Sequence, residues 1–305
     1  MVKTIKGDGL GEFAEHLKDD GKAERTIEAY VSDLQKFVTW YMQSNGDALT
    51  PKALTTTDVR EYRTYMLRTK VAPSTINRTL ASLRIYAEWA VSRDQLNSNP
   101  VRGIKGVEEQ PSAPKWLEKR EQLVLLREIE REVNAARTEA AKRQAWRDQA
   151  LIILMMQTGL RVSEVCDLEM TDLTLSERKG LVIVREGKGS KQREVPLNAE
   201  GRRVLKLWLE VREGKDCIFV FIGQRGEPLR PRAVQRLLAD YGRRAGVEVT
   251  PHTLRHTFAK NLINAGVTLE KVAALLGHAN LNTTRIYITP SATDLEKAVN
   301  VLVES

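Results

Sequence analysis

The sequence predicts a mainly helical protein of two domains, with a small β-sheet or hairpin in the second. Amphipathic helical patterns fill residues 10–95, and two short β-type segments flank a basic turn at 187–191. Between them, residues 99–116 are rich in proline and glycine and lack hydrophobic periodicity, as expected of a linker. A chain of 305 residues, 42% of them hydrophobic, is long enough for two cores. We therefore predict a helical domain over 1–98 and an α+β domain over 117–305.

Four helices are predicted in the first domain from the spacing of apolar residues. The first contains residues 10–17, the second spans 26–42, and the third spans 57–69 behind a threonine and aspartate start. The fourth spans 74–92. Its inward stripe consists of Ile76, Leu80, Leu83, Ala87 and Ala90.

The second domain is predicted to begin with helices over 119–134 and 142–158, and another helix begins near Ser163. The run GLVIVREGKGSKQREVPL predicts a hairpin whose strands contain 182–184 and 193–195, with a long basic tip. The rest of the domain is expected to be mostly helical.

One stretch, TPHTLRHTFAKNLINAG, is predicted to form a helix over 251–264. Thr250 is a good N-cap, Pro251 is tolerated in the first turn, and Gly266 suits the C-terminal stop. At 100° per residue, Leu254, Phe258 and Leu262 form the buried stripe. The neighbouring edge carries His252, Arg255, His256 and Ala259.

The charge of the chain indicates a polyanionic partner. The formal net charge is +8 and the pI is about 9.4. Residues 1–100 carry 14 Lys+Arg against 13 Asp+Glu, so nearly all the excess lies in the remainder. One concentrated source is the stretch RGEPLRPRAVQRLLADYGRRAG, and arginine suits phosphate because its planar guanidinium donates bidentate hydrogen bonds.

Several classes of protein are disfavoured by the sequence. The longest apolar run, LIILMM, is far shorter than the roughly 20 residues of a membrane span, and the N-terminus lacks an apolar signal core. Cys166 and Cys217 lack the CxxC spacing and are too few for a disulfide framework. We therefore expect no membrane partner and a cytoplasmic protein.

Cationic donors gather near one tyrosine toward the end of the chain. His252 and Arg255 are followed by His278, which comes directly after a helix stop at Gly277, and then by Tyr287. A group of donors without an acidic cluster suits an oxyanion, most simply a phosphodiester.

These histidines have two other interpretations. His252 and His256 have the spacing of helical zinc ligands, but the glutamate of an HExxH motif is absent and Arg255 would add a fixed positive charge. We therefore predict no metal. An ordinary packing role is the other alternative, above all for His256.

These motifs resemble those of the tyrosine recombinases, the family that includes the Xer recombinases, Cre and the phage integrases. The matching segments are TGLRVSEVCDL, GKGSKQREVPL, HTLRHTFAKNLINAG and LLGHANLNTTRIY, which occur in the family's order across 159–287. ERTIEAYVSDLQKF resembles part of the family's core-binding domain. The stretch REVNAARTEAAKRQAW is a departure, because it is longer and more charged than expected of the Xer type.

The resemblance implies a two-domain DNA clamp, in which a SAM-like helical core-binding domain precedes a tyrosine recombinase catalytic domain with a C-terminal helix over 291–303. It also implies cleavage through a 3′-phosphotyrosine intermediate without metal, ATP or another cofactor. The roles it implies are carried by seven residues: Tyr287 as nucleophile, Arg161 and Arg255 as phosphate ligands, His278 as a further donor, His252 as proton acceptor, Lys188 as proton donor, and Glu164 as an orienting carboxylate.

The implied partner is double-stranded DNA with paired inverted half-sites. Expected DNA contacts are Arg78 and Arg84 on the fourth helix, and Lys191, Arg230 and Arg232 in the second domain. Lys191 is also the alternative proton donor. We expect a homo-tetramer on two sites, in which protomers exchange the C-terminal helix.

Two alternative functions stay open: a monomeric strand nickase similar to type IB topoisomerases, and a DNA-binding protein without catalysis. The chain begins close to the predicted core-binding domain, which favours a simple recombinase of the Xer, Cre or transposon-resolving type. Chromosome-dimer resolution, cointegrate resolution and integration of a mobile element are all compatible with the sequence.

Overall fold

Among its described residues, the N-terminal unit contains four amphipathic α-helices in the computed structural model of the chain. They are α1 (Leu10–Asp19), α2 (Glu24–Asn45), α3 (Thr56–Arg68) and α4 (Pro73–Ser92). The structure describes residues 9–109, 114–186, 191–214, 216–278 and 281–287. Within those ranges, no helix combines the length and the apolar character needed to cross a membrane. The chain divides into two units, Met1–Pro111 and Ser112–Ser305.

The core of the first unit is aromatic and centres on α4. Phe13 packs against Tyr86 and Trp89, with ring centroids 5.4 and 5.6 Å apart. The predicted stripe of α4 is confirmed, since all five of its residues are buried. Beyond α4, Val101 and Ile104 pack into this same core, so the chain after residue 99 continues as part of the first unit.

The second unit is built around one buried helix. Its helices are α5 (Lys119–Ala135), α6 (Glu139–Thr158), α7 (Val162–Cys166), α8 (Ala199–Val211), α9 (Pro231–Ala245), α10 (Pro251–Asn264), α11 (Leu269–Leu276) and α12 (Asn282–Arg285). Helix α6 contacts α5, α8 and α10, and its apolar run at 151–156 is buried. The run that was too short for a membrane span is therefore the centre of a protein core.

A three-stranded antiparallel sheet completes the second unit, with strands β1 (Leu173–Leu175), β2 (Gly180–Glu186) and β3 (Lys191–Pro196) in that order. The predicted hairpin is confirmed: β2 pairs with β3 so that Val182 faces Val195 and Val184 faces Arg193. Strand β1 was not predicted, because three residues are too few to display a period of two. The hairpin tip at 187–190 lies outside the described residues.

Candidate active site

The candidate site forms around the C-terminal end of α11, which stops at Gly277. This glycine has φ of +67°, a conformation that side chains other than glycine rarely adopt. An added Cβ would also lie 2.9 Å from Nη1 of Arg193. The sharp stop places His278 directly after the helix end, and it leaves the last carbonyls of α11 open to donors from elsewhere.

Three consecutive carbonyls at this helix end accept hydrogen bonds from three different arginines. Arg193 Nε donates to the carbonyl of Leu275 (3.0 Å), Arg255 Nη2 to that of Leu276 (2.7 Å), and Arg161 Nη2 to that of Gly277 (3.3 Å). These bonds satisfy acceptors that a helix leaves unpaired, and the negative end of the helix dipole favours cations here. The helix end therefore gathers arginines from β3, from α10 and from the N-terminus of α7.

Glu164 lies between two of these arginines. Its carboxylate accepts from the backbone N–H and from Nη1 of Arg161, both at 2.7 Å. It also accepts from Nη1 and Nη2 of Arg193 at 3.0 and 2.7 Å. Burial alone would raise the pKa of Glu164, but the hydrogen bonds from Arg193 and Arg161 outweigh it and lower that pKa. An ionised carboxylate thus holds both guanidinium groups.

Arg255 is the most buried of the three arginines at this helix end, with 6% of the residue exposed. Its Nη1 donates to the carbonyl of Gly159 at 2.6 Å, and its Nη2 to that of Leu276. Burial, followed by repulsion from Arg161, lowers the pKa of Arg255 to about 10, so it remains protonated at neutral pH. A guanidinium has five N–H donors, and these two bonds leave it able to bind an anion as well.

His278 is held by the segment that follows it, because its Nδ1 lies 2.8 Å from Oγ1 of the buried Thr284. Burial first, and then the positive charges of Arg255, Arg161 and Arg193, lower the pKa of His278 to about 4. The imidazole is therefore neutral at pH 7 in the free protein.

Tyr287 is buried beside α10, with 1% of the residue exposed. Its ring belongs to a small apolar cluster with Phe258, Ala259, Val272 and Leu276. Its hydroxyl lies 2.7 Å from Nδ1 of His256. Burial raises the pKa of Tyr287, and the positive charge of Arg255 partly opposes that rise. The hydroxyl is therefore protonated at neutral pH.

His256, and not His252, contacts the tyrosine. His252 lies one turn earlier on α10, is exposed, and has its ring centroid 6.4 Å from that of His256. His252 was the predicted proton acceptor, whereas the interpretations of His256 were a packing role and a zinc ligand. His256 was underestimated because the helical wheel places both histidines on the same edge, and the wheel does not show where Tyr287 comes to lie.

Some predicted residues lie outside the described part of the chain. Lys188 and the C-terminal helix over 291–303 are among them, and so is the side chain of Lys191, which begins β3. Their predicted roles stay predictions.

The predicted DNA contacts differ in their surroundings. Arg78 Nη2 donates to the buried Asp33 at 2.8 Å, so this arginine also belongs to the first unit's own structure. Arg84 is exposed. Arg230 and Arg232 are exposed at the N-terminal end of α9, where Arg230 is the N-cap residue.

Arg193 is a site residue that was not predicted from the sequence, although a signal was present. Residues two apart in a strand face the same side, and Val195 was predicted in the same strand. An arginine that shares a face with an inward valine requires a buried acidic partner. Glu164 is that partner.

Comparisons with known proteins show which family the chain is similar to. The family model of the phage integrase family matches residues 123–293, and that of the phage integrase N-terminal SAM-like domain matches residues 10–96. The chain is 33% identical over 301 residues to tyrosine recombinase XerA of Pyrococcus furiosus, covering 97% of this chain and 94% of the relative. It is 31% identical over 307 residues to tyrosine recombinase XerC of Thermodesulfovibrio yellowstonii, covering 97% and 95%.

Solved structures share the fold. The XerH site-specific recombinase bound to a palindromic difH substrate has a TM-score of 0.75 at 24% identity, with 96% of this chain and 84% of that chain covered. A lambda integrase dimer bound to a core site has a TM-score of 0.71 at 16% identity, with 91% and 93% covered. Both of the family's sequence models and full-length relatives at about 30% identity match, so the chain belongs to the phage integrase family of tyrosine recombinases.

Proposed function

We propose that this protein is a site-specific DNA recombinase that cuts and rejoins DNA through a 3′-phosphotyrosine intermediate at Tyr287. The observation that supports this most strongly is the gathering of Arg161, Arg255 and His278 at the C-terminal end of α11, with Tyr287 packed against the same helix. Membership of the tyrosine recombinase family supports the proposal that these residues act in one reaction.

In the proposed cleavage step, the Tyr287 oxygen attacks a DNA phosphate. Arg161 and Arg255 bind the nonbridging oxygens and stabilise the charge that grows in the transition state, and His278 donates a further hydrogen bond. The new bond joins phosphorus to the tyrosine oxygen, and the bond to the 5′-oxygen breaks. Lys188 protonates that leaving oxygen. Because the phosphate ester is conserved in the phosphotyrosine, the rejoining step requires no nucleotide.

A histidine of α10 accepts the tyrosine proton in this scheme. The residue predicted for that role is His252, whereas the contact with the hydroxyl is made by His256. Imidazole suits the task because its pKa lies near neutrality.

For DNA binding, we propose a clamp that neutralises many phosphates. Arg84 in the first unit, and Arg230, Arg232 and Lys191 in the second, are the proposed contacts, with Arg78 as a weaker candidate because it pairs with Asp33. Binding should therefore fall steeply with salt concentration, since each neutralised phosphate releases condensed counterions. A nearly flat dependence on salt would contradict the clamp.

For assembly, we propose four protomers on two duplexes with inverted half-sites, coupled by exchange of the C-terminal helix over 291–303. Deleting residues 291–305 should weaken cooperative occupancy of paired half-sites more than binding to a single half-site. Equal losses on both would indicate a helix that packs within its own subunit. The proposed location is the cytoplasm, in association with the nucleoid.

The experiment that tests the function uses duplexes selected from a randomised pool by binding to the protein. Two copies of a selected site are placed in one supercoiled plasmid, and the products are separated by size after incubation. Exchange of the segments between the sites is the expected result. Relaxation without exchange would favour the topoisomerase-like nickase, and binding without cleavage would favour the non-catalytic DNA-binding protein.

A further inference from the structure

The hydrogen bond between His256 and Tyr287 identifies a proton acceptor for the nucleophile. Nδ1 of His256 lies 2.7 Å from the tyrosine oxygen, and the two ring centroids are 5.4 Å apart. Among the described residues, His256 is the hydrogen-bond partner of this hydroxyl. The apolar cluster around the ring fixes the position of the hydroxyl relative to α10.

The other groups around this pair are less suited to accept the tyrosine proton. Arg255 and Arg161 carry only N–H donors. His278 follows the end of α11, and its Nδ1 contacts Thr284 instead of the tyrosine. His252 lies one turn away on α10 without contact to the hydroxyl.

His256 itself is suited to accept. Burial, followed by the neighbouring His252 and Arg255, lowers its pKa below the ordinary value of 6.5. The ring is therefore neutral at pH 7, and its unprotonated nitrogen can receive the hydroxyl hydrogen.

We propose that His256 takes the proton of Tyr287 as the tyrosine attacks the DNA phosphate, and returns it when the strand is rejoined. This inference rests on the proposed recombinase function and concerns the same site. During attack, the tyrosine O–H bond breaks, its proton moves to Nδ1, the oxygen forms a bond to phosphorus, and the 5′-oxygen leaves with a proton from Lys188. During rejoining, the 5′-hydroxyl returns its proton to Lys188 as its oxygen attacks phosphorus, the bond between phosphorus and the tyrosine oxygen breaks, and that oxygen recovers its proton from His256.

The proton moves in concert with the attack. In the free protein the pKa of Tyr287 is raised and that of His256 is lowered, so a complete transfer before attack is unfavourable. As the bond to phosphorus forms, the tyrosine oxygen loses its affinity for the proton, and a positioned base then lowers the barrier.

The test compares His256→Asn with His252→Asn in single-turnover cleavage of a selected duplex nicked near the scissile phosphate. Asparagine fills a similar position to Nδ1 but does not titrate. His256→Asn should cleave about 100-fold more slowly than the unmodified protein, the usual scale of general-base catalysis. The rate of the unmodified protein should fall as the pH is lowered through the pKa of His256, a decline that should persist in His252→Asn and be absent in His256→Asn.

A second measurement separates proton transfer from a merely structural role. Replacing Tyr287 by a fluorinated tyrosine gives a more acidic phenol that depends less on a base. The defect of His256→Asn should then shrink by at least about tenfold, whereas a packing defect would be unaffected. Thermal unfolding and DNA affinity of His256→Asn serve as folding controls, and His256→Gln replaces it if that variant is unstable.

The possible outcomes test the role of His256 separately from the proposed recombinase function. If the unmodified protein forms a covalent adduct and His256→Asn forms it equally fast, the inference is wrong and the recombinase proposal stands. Loss of the pH-dependent decline only in His252→Asn would transfer the role to His252. If the unmodified protein forms no adduct with any selected duplex, the proposed function itself fails.

Discussion

Glu164 and Arg193 form a bidentate ion pair, in which the two carboxylate oxygens accept from two guanidinium nitrogens at 3.0 and 2.7 Å. The pair joins β3 to α7, and Glu164 also holds Arg161. Arg193 reaches further, to the carbonyl of Leu275 in α11. The strand that leads from the hairpin tip is thus fixed to both the first arginine and the helix end that precedes His278.

Arg193→Met should therefore destabilise the second unit and slow cleavage. Both side chains of the pair are 10% exposed, and breaking such a pair costs about 3 kcal/mol of unfolding free energy because an uncompensated charge stays buried. Urea denaturation measures the loss. Arg203→Met is the matched control, since its pair with Glu200 is largely exposed and should contribute less than about 1 kcal/mol. Equal losses in the two variants would contradict the structural role of Arg193.

Removing the side chains of Arg255 and Arg161 should slow cleavage equally but should affect stability differently. Both alanine variants should lose about 3 to 4 kcal/mol of transition-state stabilisation, or several hundredfold in cleavage rate. Arg255→Ala should also lower stability more, because its buried guanidinium donates to the carbonyls of Gly159 and Leu276, which would be left unsatisfied. Denaturation and single-turnover cleavage measure the two effects. A greater loss of stability in Arg161→Ala would argue against this division.

Protonation of His278 should lower the stability of the folded protein as the pH falls. Its pKa is about 4 in the folded protein and 6.5 ordinarily, so the unfolded chain binds the proton more tightly. The free energy of unfolding should therefore decrease as the pH is lowered from about 6.5 toward 4. His278→Asn removes this contribution, and its denaturation curves should depend less on pH over that range. An identical dependence in both proteins would contradict the lowered pKa.

Substitutions of Arg78 and Arg84 should affect different properties, the first the stability of the protein and the second its affinity for DNA. Arg78→Met leaves the buried carboxylate of Asp33 without its cation and should cost about 3 kcal/mol of stability. Arg84→Met should change stability by less than about 0.5 kcal/mol, and it should weaken DNA binding and reduce the salt dependence by about one phosphate contact. Denaturation and affinity at several salt concentrations test both. Unchanged DNA affinity in Arg84→Met would remove it from the interface.

Much of the fold could be predicted from the sequence, because capping residues and apolar spacing mark where many of the helices lie. The cap at Thr250 is present, with its Oγ1 accepting from the N–H of Thr253 at 3.0 Å, and α10 spans the predicted residues. Helix α6 ends at Thr158, as predicted. Helices α8 and α9 were expected only as part of a mostly helical remainder, and their bounds depend on packing against a core that local patterns do not define.

The candidate site could be predicted only in part from the sequence, because its contacts join segments that are far apart in the chain. The helical wheel brought Arg255 and His256 to one edge, but the pairing of Tyr287 with His256 depends on how the chain returns after α11. Likewise, the arginine in β3 pairs with Glu164, 29 residues earlier in the chain. Spacing along one helix does not predict such contacts.

The central claim, that Tyr287 is the nucleophile, is tested most directly by trapping the covalent intermediate. A selected duplex nicked near the cleavage point should lose its short 5′-hydroxyl fragment and leave protein on the 3′ phosphate, in the presence of EDTA and without added nucleotide. Tyr287→Phe removes only the hydroxyl, so it should bind the same duplex and form no adduct. An adduct that persists in Tyr287→Phe, or a reaction stopped by EDTA, would contradict the account.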